Sequence, residues 1–384
     1  MKTPKHKEVT FMKMSGIIFS NIYDTPMGSL TKKRTVASMP FGGRYRFIDF
    51  ALSNMVNSGI WSIGVITKYN YQSLMDHIGG AGEWDLNRKD AVLRILPPFV
   101  TGMTTVYRGN LEALSNALSF LNGAKPDYVV ICDTTVICNI DLKKALKSHV
   151  ASGKDVTIIA NRAIADFERD STDLYISQED GRVTDMAIGY TKNPNALVGM
   201  GMFIISRKLL TEVIKTEVSR GRYSFERDFL LTSFLNKSIE INTYEFKHTV
   251  LRNHNVASYF KNSFRIMEED IKNDIFKRDA LIRTKVRDDT PTLCRSGCNI
   301  KNCIVADGCD IRGSVENSVL FRGVVIEKGA KVQNSVIMQD TVICEGATVN
   351  YAITDKNVTL SPNTVISGAP MYPVIVDKNE IVGE

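Results

Sequence analysis

Residues 31–60 read TKKRTVASMPFGGRYRFIDFALSNMVNSGI. A basic cluster, Lys32-Lys33-Arg34, leads into Pro40-Phe41-Gly42-Gly43, and an amphipathic run follows. Phe47, Ile48, Phe50, Ala51, Leu52, Met55 and Val56 mostly recur three or four residues apart, which gives a helix one apolar face. Asn57-Ser58-Gly59 closes that helix, with the glycine suited to a left-handed C-terminal position. Upstream, Gly16 to Ser20 (GIIFS) predicts a short buried strand, and Ile60 to Thr67 (IWSIGVIT) predicts the next one. Strand, long loop, helix and strand is how a nucleotide-binding α/β domain begins.

The same alternation continues to about residue 250. MSGIIFS, SIGVIT, YVVIC (128–132) and DVTIIA (155–160) are Ile- and Val-rich runs expected to be buried parallel strands. Helical stretches lie between them, as at 110–122 and 142–151. Ligands of such sheets sit at the carboxyl ends of strands, so the loops after Phe19, Thr67, Cys132 and Ile159 are where chemistry is expected. Residues 255–291 are charged and partly helical, and they suggest a connector.

From about Thr292 a six-residue period takes over. Leu320, Ile326 and Val332 are six apart, as are Ile337, Ile343 and Val349, and then Ile353, Thr359 and Val365. Gly323, Gly329, Gly346 and Asn363 punctuate the steps. Aliphatic hexads with Gly or Asn at the turns predict a left-handed parallel β-helix. The expected division is 1–254 for the α/β domain, 255–291 for the connector and 292–384 for the coil. Hexad coils also serve acyltransferases that use a histidine base. Here the histidines are His6, His77, His149, His248 and His254, and none falls in the coil. A structural coil that offers strand edges to another subunit is the better reading.

Composition excludes several classes. Of 384 residues, 43% are hydrophobic and 23% charged, an ordinary globular balance. The net charge of +6 comes without a run of five basic residues, so no nucleic-acid partner is expected. No apolar run reaches about 18 residues, which argues against a membrane span. The polar N-terminus lacks a signal core, so a cytoplasmic location is expected. Seven cysteines suit reduced thiols. Cys294, Cys298, Cys303 and Cys309 lack the paired C-x2-C spacing of zinc knuckles and fit packing inside the coil better.

The run P-F-G-G-R-Y-R-F-I-D-F-A-L-S-N, followed by N-S-G-I, resembles the bacterial glucose-1-phosphate adenylyltransferases (ADP-glucose pyrophosphorylases), and the likeness extends over nearly the whole chain. It is nearest the GlgD-type branch, the companion subunit found beside a catalytic subunit. The resemblance implies a Rossmann-like, mixed but mostly parallel nucleotidyltransferase sheet followed by the β-helix. It also implies tetramers assembled partly through the coil.

Nucleotidyl transfer needs backbone N–H groups around a triphosphate, cations for the leaving pyrophosphate, and carboxylates for Mg2+. Against the family pattern this chain lacks much of that apparatus. The Gly-rich G-G-x-G-x-R-L loop is replaced by residues 20–30, with a single glycine and with Asp24. In R-T-V-A-S-M-P-F-G-G, Arg34 is kept, but Val36 replaces the phosphate-contacting lysine. Gly189-Tyr190-Thr191 stands where an E-K-P lysine would grip the sugar phosphate, and Lys192 is the nearest substitute.

Counting back from Asp141 puts Thr135 at the first metal aspartate. Asp133 lies two residues early, on the same strand face but displaced by about 7 Å. Asp228, in S-F-E-R-D-F, matches the second metal aspartate of D-F-G-K-D. Gly109, Glu112 and Ala113 stand in the nucleotide-contacting G-T-A-D-A segment. Gly201 lies in the strand that lines the sugar pocket, where a sugar-phosphate effector is a candidate ligand. For His77 a hydrogen-bonded structural role is expected.

The catalytic candidates are thus Arg34 and Asp228, in weak or vestigial form. Gly109, Glu112, Asp133, Lys192 and Gly201 are the binding candidates, and Asp228 is the one metal candidate. The reading is a regulatory, catalytically weak or silent subunit without an intrinsic cofactor, acting in a hetero-oligomer with a catalytic subunit. The alternative is an active enzyme in its own right, and only that alternative calls for Mg2+.

Overall fold

A computed structural model of the chain describes residues 12–20, 27–98, 107–162 and 168–383. Nine strands form the N-terminal sheet: β1 (Met14–Phe19), β2 (Ser62–Ile66), β3 (Val92–Leu96), β4 (Tyr128–Asp133), β5 (Val156–Asn161), β6 (Leu174–Glu179), β7 (Arg182–Ile188), β8 (Leu197–Ser206) and β9 (Ile241–Glu245). Their order is β7-β6-β8-β4-β1-β2-β3, with β5 also paired to β8 and β9 to β5. β1 runs parallel to both β2 and β4, as the aliphatic runs predict.

DVTIIA forms the buried parallel strand expected, but it is not adjacent to β4. β8 lies antiparallel between β4 and β5, and β5 finds its parallel neighbour in β9. Strand direction is set by the connections, and local hydrophobicity does not encode it.

The helix α1 spans Phe47–Asn57, and all of it but Asn57 is buried. Asp49 caps its first turn by accepting from the Arg46 N–H, and Gly59 takes φ +73° just beyond the end. Ahead of α1, Pro40–Phe41 pairs antiparallel with Tyr45–Arg46, and Gly42 and Gly43 turn the corner at φ +57° and +80°. A Cβ on Gly43 would lie 3.0 Å from Ile304 Cγ2, so the hairpin needs glycine where it meets the coil.

The connector holds helices Val256–Arg265 and Glu269–Ile275 and then runs extended to the coil. In the coil the stacked columns are Leu320–Ile337–Thr354, Ile326–Ile343–Leu360 and Val332–Val349–Ile366. The two central coils are therefore each 17 residues long (337 − 320 and 354 − 337), one short of three hexads, whereas the step before them takes 15 residues (320 − 305) and the last takes 22 (376 − 354). The third expected triplet is out of phase by one: Thr354, Leu360 and Ile366 are buried, whereas Val365 is 71% exposed. The missing residue comes out of the corner where Asn317, Asn334 and Tyr351 adopt φ between +45° and +49°. Asn317 and Asn334 each donate a side-chain hydrogen bond to the next coil, to Asn334 and Asn350.

The sheet domain and the coil share one core. Phe47 and Phe50 of α1, Tyr259 and Phe260 of the connector, and Val319, Val336 and Ile353 of the coil pack together. Tyr259 Oη donates to Pro40 O at 2.8 Å. No helix among the described residues is long and apolar enough to cross a membrane. Cys309 packs in the coil interior, with Cys298 and Cys303 against it.

Candidate functional site

Two concavities carry charged side chains. The first lies at the carboxyl end of β4, where the topology places ligands in open α/β sheets, and has a volume of about 590 Å3. Asp133 and Gly201 both line it. A bulge in β8 between Gly199 and Met202 opens this wall. Gly201 has φ +63°, and a Cβ there would lie 3.0 Å from Asp133 Cβ. Thr135 also faces the cavity, with a buried Oγ1 that finds no hydrogen-bond partner among the described residues.

Each lining carboxylate is already engaged by the protein. Asp133 Oδ1 accepts from the Thr135 N–H at 2.9 Å. Glu226 Oε2 accepts from Asn110 Nδ2 at 2.8 Å. Asp170 accepts from Thr172, and Asp173 from the Asp170 N–H. Asp173 also faces Arg252 at 4.0 Å and His254 at 3.8 Å. Burial raises its carboxyl above the ordinary value, while the Asp170 N–H and the neighbouring Arg252 guanidinium pull it back. Arg252 is 2% exposed, and its guanidinium donates to Gly199 O and Val198 O.

Asp228 is not in this wall. Its Oδ2 accepts from the Tyr223 and Ser224 N–H groups at 2.7 and 2.8 Å, which caps the helical segment Phe225–Leu231. Among the described residues no group of three or more His, Cys, Asp or Glu side chains is placed to hold a metal ion. Of the two positions that the resemblance assigns to Mg2+, one is Thr135 and the other, Asp228, is turned to a helix end, so that pair does not fit the ion. What the cavity offers is a balanced set of hydrogen-bonding groups against the apolar walls of Met200 and Phe203, at a size typical of small-molecule sites.

The other candidates disperse. Gly109 is extended and approaches the Tyr223 carbonyl so closely that a Cβ would lie 2.4 Å from its oxygen. Glu112 is held by Arg108, whose guanidinium also lies 3.8 Å over the Tyr223 ring. Lys192 is exposed outside the cavity wall, while Gly189, Tyr190 and Thr191 line a separate depression. Residues 21–26, including Asp24 of the first-strand loop, lie outside the described residues.

Arg34 is corrected. Its side chain is 5% exposed and binds both oxygens of Asp355, in the coil, at 2.5 and 2.7 Å. A guanidinium committed to a buried carboxylate joins the two domains and cannot reach a phosphate in the sheet cavity.

The second concavity lies between the Pro40–Arg46 hairpin, the connector and the coil, with a volume of about 120 Å3. Arg44, Arg46, Lys285, Arg287, Arg322 and Lys356 line it, with Asp76 as the single lining acid among the described residues. Arg46 Nη1 donates to the Ser73 carbonyl and hydroxyl, and burial pushes its guanidinium down to about 10. Lys356 is pushed down to about 7 by burial first and then by Arg46 and Arg34. His77 borders the cleft with Nε2 2.5 Å from the buried Asp49 Oδ1, the structural role expected of it.

Sequence reading missed this basic cleft and, in the first cavity, Arg252 and His254. The hairpin run R-Y-R was the one visible signal. The remaining cations come from segments up to three hundred residues away.

Sequence comparisons agree with both domains. The nucleotidyl transferase family matches residues 23–265, and the GlmU-like C-terminal hexapeptide family matches 290–371. The chain is 33% identical over 372 residues to the glycogen biosynthesis protein GlgD of Bacillus subtilis (strain 168), which covers 97% of this chain and 98% of that protein. It is 34% identical over 378 residues to the GlgD of Geobacillus stearothermophilus, with 97% and 98% covered. A glucose-1-phosphate adenylyltransferase of Pseudothermotoga lettingae is 30% identical over 322 residues, 83% of this chain and 76% of that enzyme. The chain belongs to the nucleotidyl transferase family, in the glucose-1-phosphate adenylyltransferase group that includes the GlgD proteins.

Proposed function

We propose that this chain is a regulatory, catalytically weak or silent subunit of a glucose-1-phosphate adenylyltransferase in glycogen biosynthesis. A catalytic partner subunit carries the conversion of ATP and glucose 1-phosphate to ADP-glucose and pyrophosphate, and the two assemble as a hetero-oligomer, a tetramer by the family's habit. The observation that carries this reading is the state of the sheet cavity. Its acids are engaged by protein donors, Thr135 supplies no charge, and Asp228 serves a helix end. Among the described residues neither Thr135 nor Asp228 offers this cavity the carboxylate that would hold magnesium against a reacting phosphate. Full-length similarity to two GlgD proteins supports the same reading.

Regulation then falls to the basic cleft. Five cations and the Lys356 amine, held by the fold, form a ready receptor for a phosphorylated effector, and a sugar phosphate fits that charge. The cleft touches the hairpin before α1 and the coil at once, so a ligand there bridges both domains. The test compares pyrophosphate release by the purified chain, by the catalytic subunit, and by their mixture. The chain alone should be near background, and the mixture should exceed the catalytic subunit or respond differently to a sugar phosphate. Robust turnover by the chain alone overturns the proposal.

A further inference from the structure

Lys356 follows Asp355 on the coil and faces the basic cleft. Asp355, its neighbour in the chain, is committed to Arg34 and to the Lys356 backbone N–H. The amine is surrounded by Arg46, Arg34 and Arg287, with Arg44, Arg322 and Lys285 also on the walls. Asp340 faces both Lys356 and Arg287 within electrostatic reach, and Asp289 lies 3.4 Å from Arg322. Asp76 faces from the α/β side and accepts from Gln72. Among the described residues no carboxylate is paired with Lys356 Nζ. An amine crowded by cations and half-buried holds its proton weakly, so its lone pair is available near neutral pH, as the fall to about 7 agrees.

We infer that Lys356 is a modification site, acylated on Nζ by acyl phosphates whose phosphate group the surrounding guanidinium groups hold. The neutral amine attacks the acyl carbonyl carbon. The guanidinium groups stabilise the oxyanion that forms and the phosphate that departs. The carbon–oxygen bond to phosphate breaks, inorganic phosphate leaves, and the amine's proton passes to solvent, leaving an N-acyl-lysine. No oxidant or metal is needed. The product carries one positive charge fewer and fills part of a cleft of about 120 Å3. Acylation and anion binding at this place therefore exclude each other.

The inference rests on the cleft's attraction for phosphorylated anions, and the experiment separates the two. The full chain is incubated with acetyl phosphate at neutral pH and low salt, and acetylation of each lysine is followed by peptide mapping. Lys356 should react at least about tenfold faster than exposed Lys192, because an ordinary lysine is protonated in all but roughly one in a thousand molecules at that pH. Its rate should level off above about pH 8, where an ordinary lysine is still almost wholly protonated. Inorganic phosphate should slow Lys356 and leave Lys192 unchanged, and Arg287→Gln should do the same. Equal rates at Lys356 and Lys192 overturn the inference. Thermal stabilisation by inorganic phosphate, measured in parallel, reports anion binding by itself. If it persists when the rates are equal, the effector reading survives and the acylation does not.

Discussion

In the sheet-domain cavity each lining carboxylate meets an amide, a hydroxyl or a cation of the protein, and Arg252 is bound to two carbonyls. In the cleft against the coil, five cations and the Lys356 amine face one another across the space, with Asp76 the one lining acid among the described residues. The first place has its charges satisfied internally and asks little of a ligand. The second holds like charges together by folding energy supplied elsewhere, and an anion would relieve that repulsion. The difference says where a phosphate should bind, and it is not the location that family topology alone would name.

The largest effect that would break the comparison lies at the joint beneath the basic cleft. Removing one partner of a buried, bidentate pair leaves an uncompensated charge, so Arg34→Met should destabilise the chain by about 3–5 kcal/mol in denaturant unfolding. Arg34→Met combined with Asp355→Leu should recover a large part of that loss. A stable single variant would show that the pair does not join the domains.

A second prediction sharpens the contrast between the clefts. Inorganic phosphate or a sugar phosphate should raise the melting temperature, and the rise should shrink with added salt. Arg287→Gln should weaken that binding about tenfold, whereas Asp133→Asn should leave it unchanged. The reverse pattern would move the anion site to the sheet cavity.

Lys356 gives a pH test. Its folded-state proton affinity is lowered below the unfolded value, so the unfolded chain binds the extra proton between about pH 7 and the ordinary lysine range. Its contribution to stability should therefore rise with pH through that window. Lys356→Gln should be stabilising near pH 6, with the gain fading toward pH 9. A gain that does not vary with pH would contradict the electrostatic account.

Smaller effects belong to the sheet cavity. Gly201→Ala combines φ +63° with a 3.0 Å contact to Asp133 and should cost about 1–3 kcal/mol. Asp228→Asn retains one acceptor for the Tyr223 and Ser224 N–H groups and should cost about 1 kcal/mol. It should leave the turnover of a mixture with the catalytic subunit unchanged, which a metal ligand would not allow.

Much of the fold is local in origin and so was legible. The apolar face of α1, the glycine that ends it and the parallel pairing of β1 follow from periodicity and turn chemistry. The hexads gave the coil, but the phase beyond Val349 depends on a one-residue deletion at a corner that the spacing of aliphatics does not mark. Of the candidate site residues, Asp133 and Gly201 come together because β4 ends at Asp133 beside the bulge of the neighbouring β8. Arg34 was misplaced because its partner lies 321 residues away. The basic cleft was invisible for the same reason, since its cations sit in separate segments that only the packing of coil, connector and hairpin unites.

The central claim is that the chain's own nucleotide cavity cannot hold a triphosphate and its magnesium in reactive geometry. Measuring ADP-glucose formation by the purified chain with saturating ATP, glucose 1-phosphate and Mg2+, beside the same assay with the catalytic subunit added, tests it most directly. The account predicts background synthesis by the chain alone and altered turnover or effector response in the mixture. Synthesis by the chain alone at the rate of a catalytic subunit would contradict it.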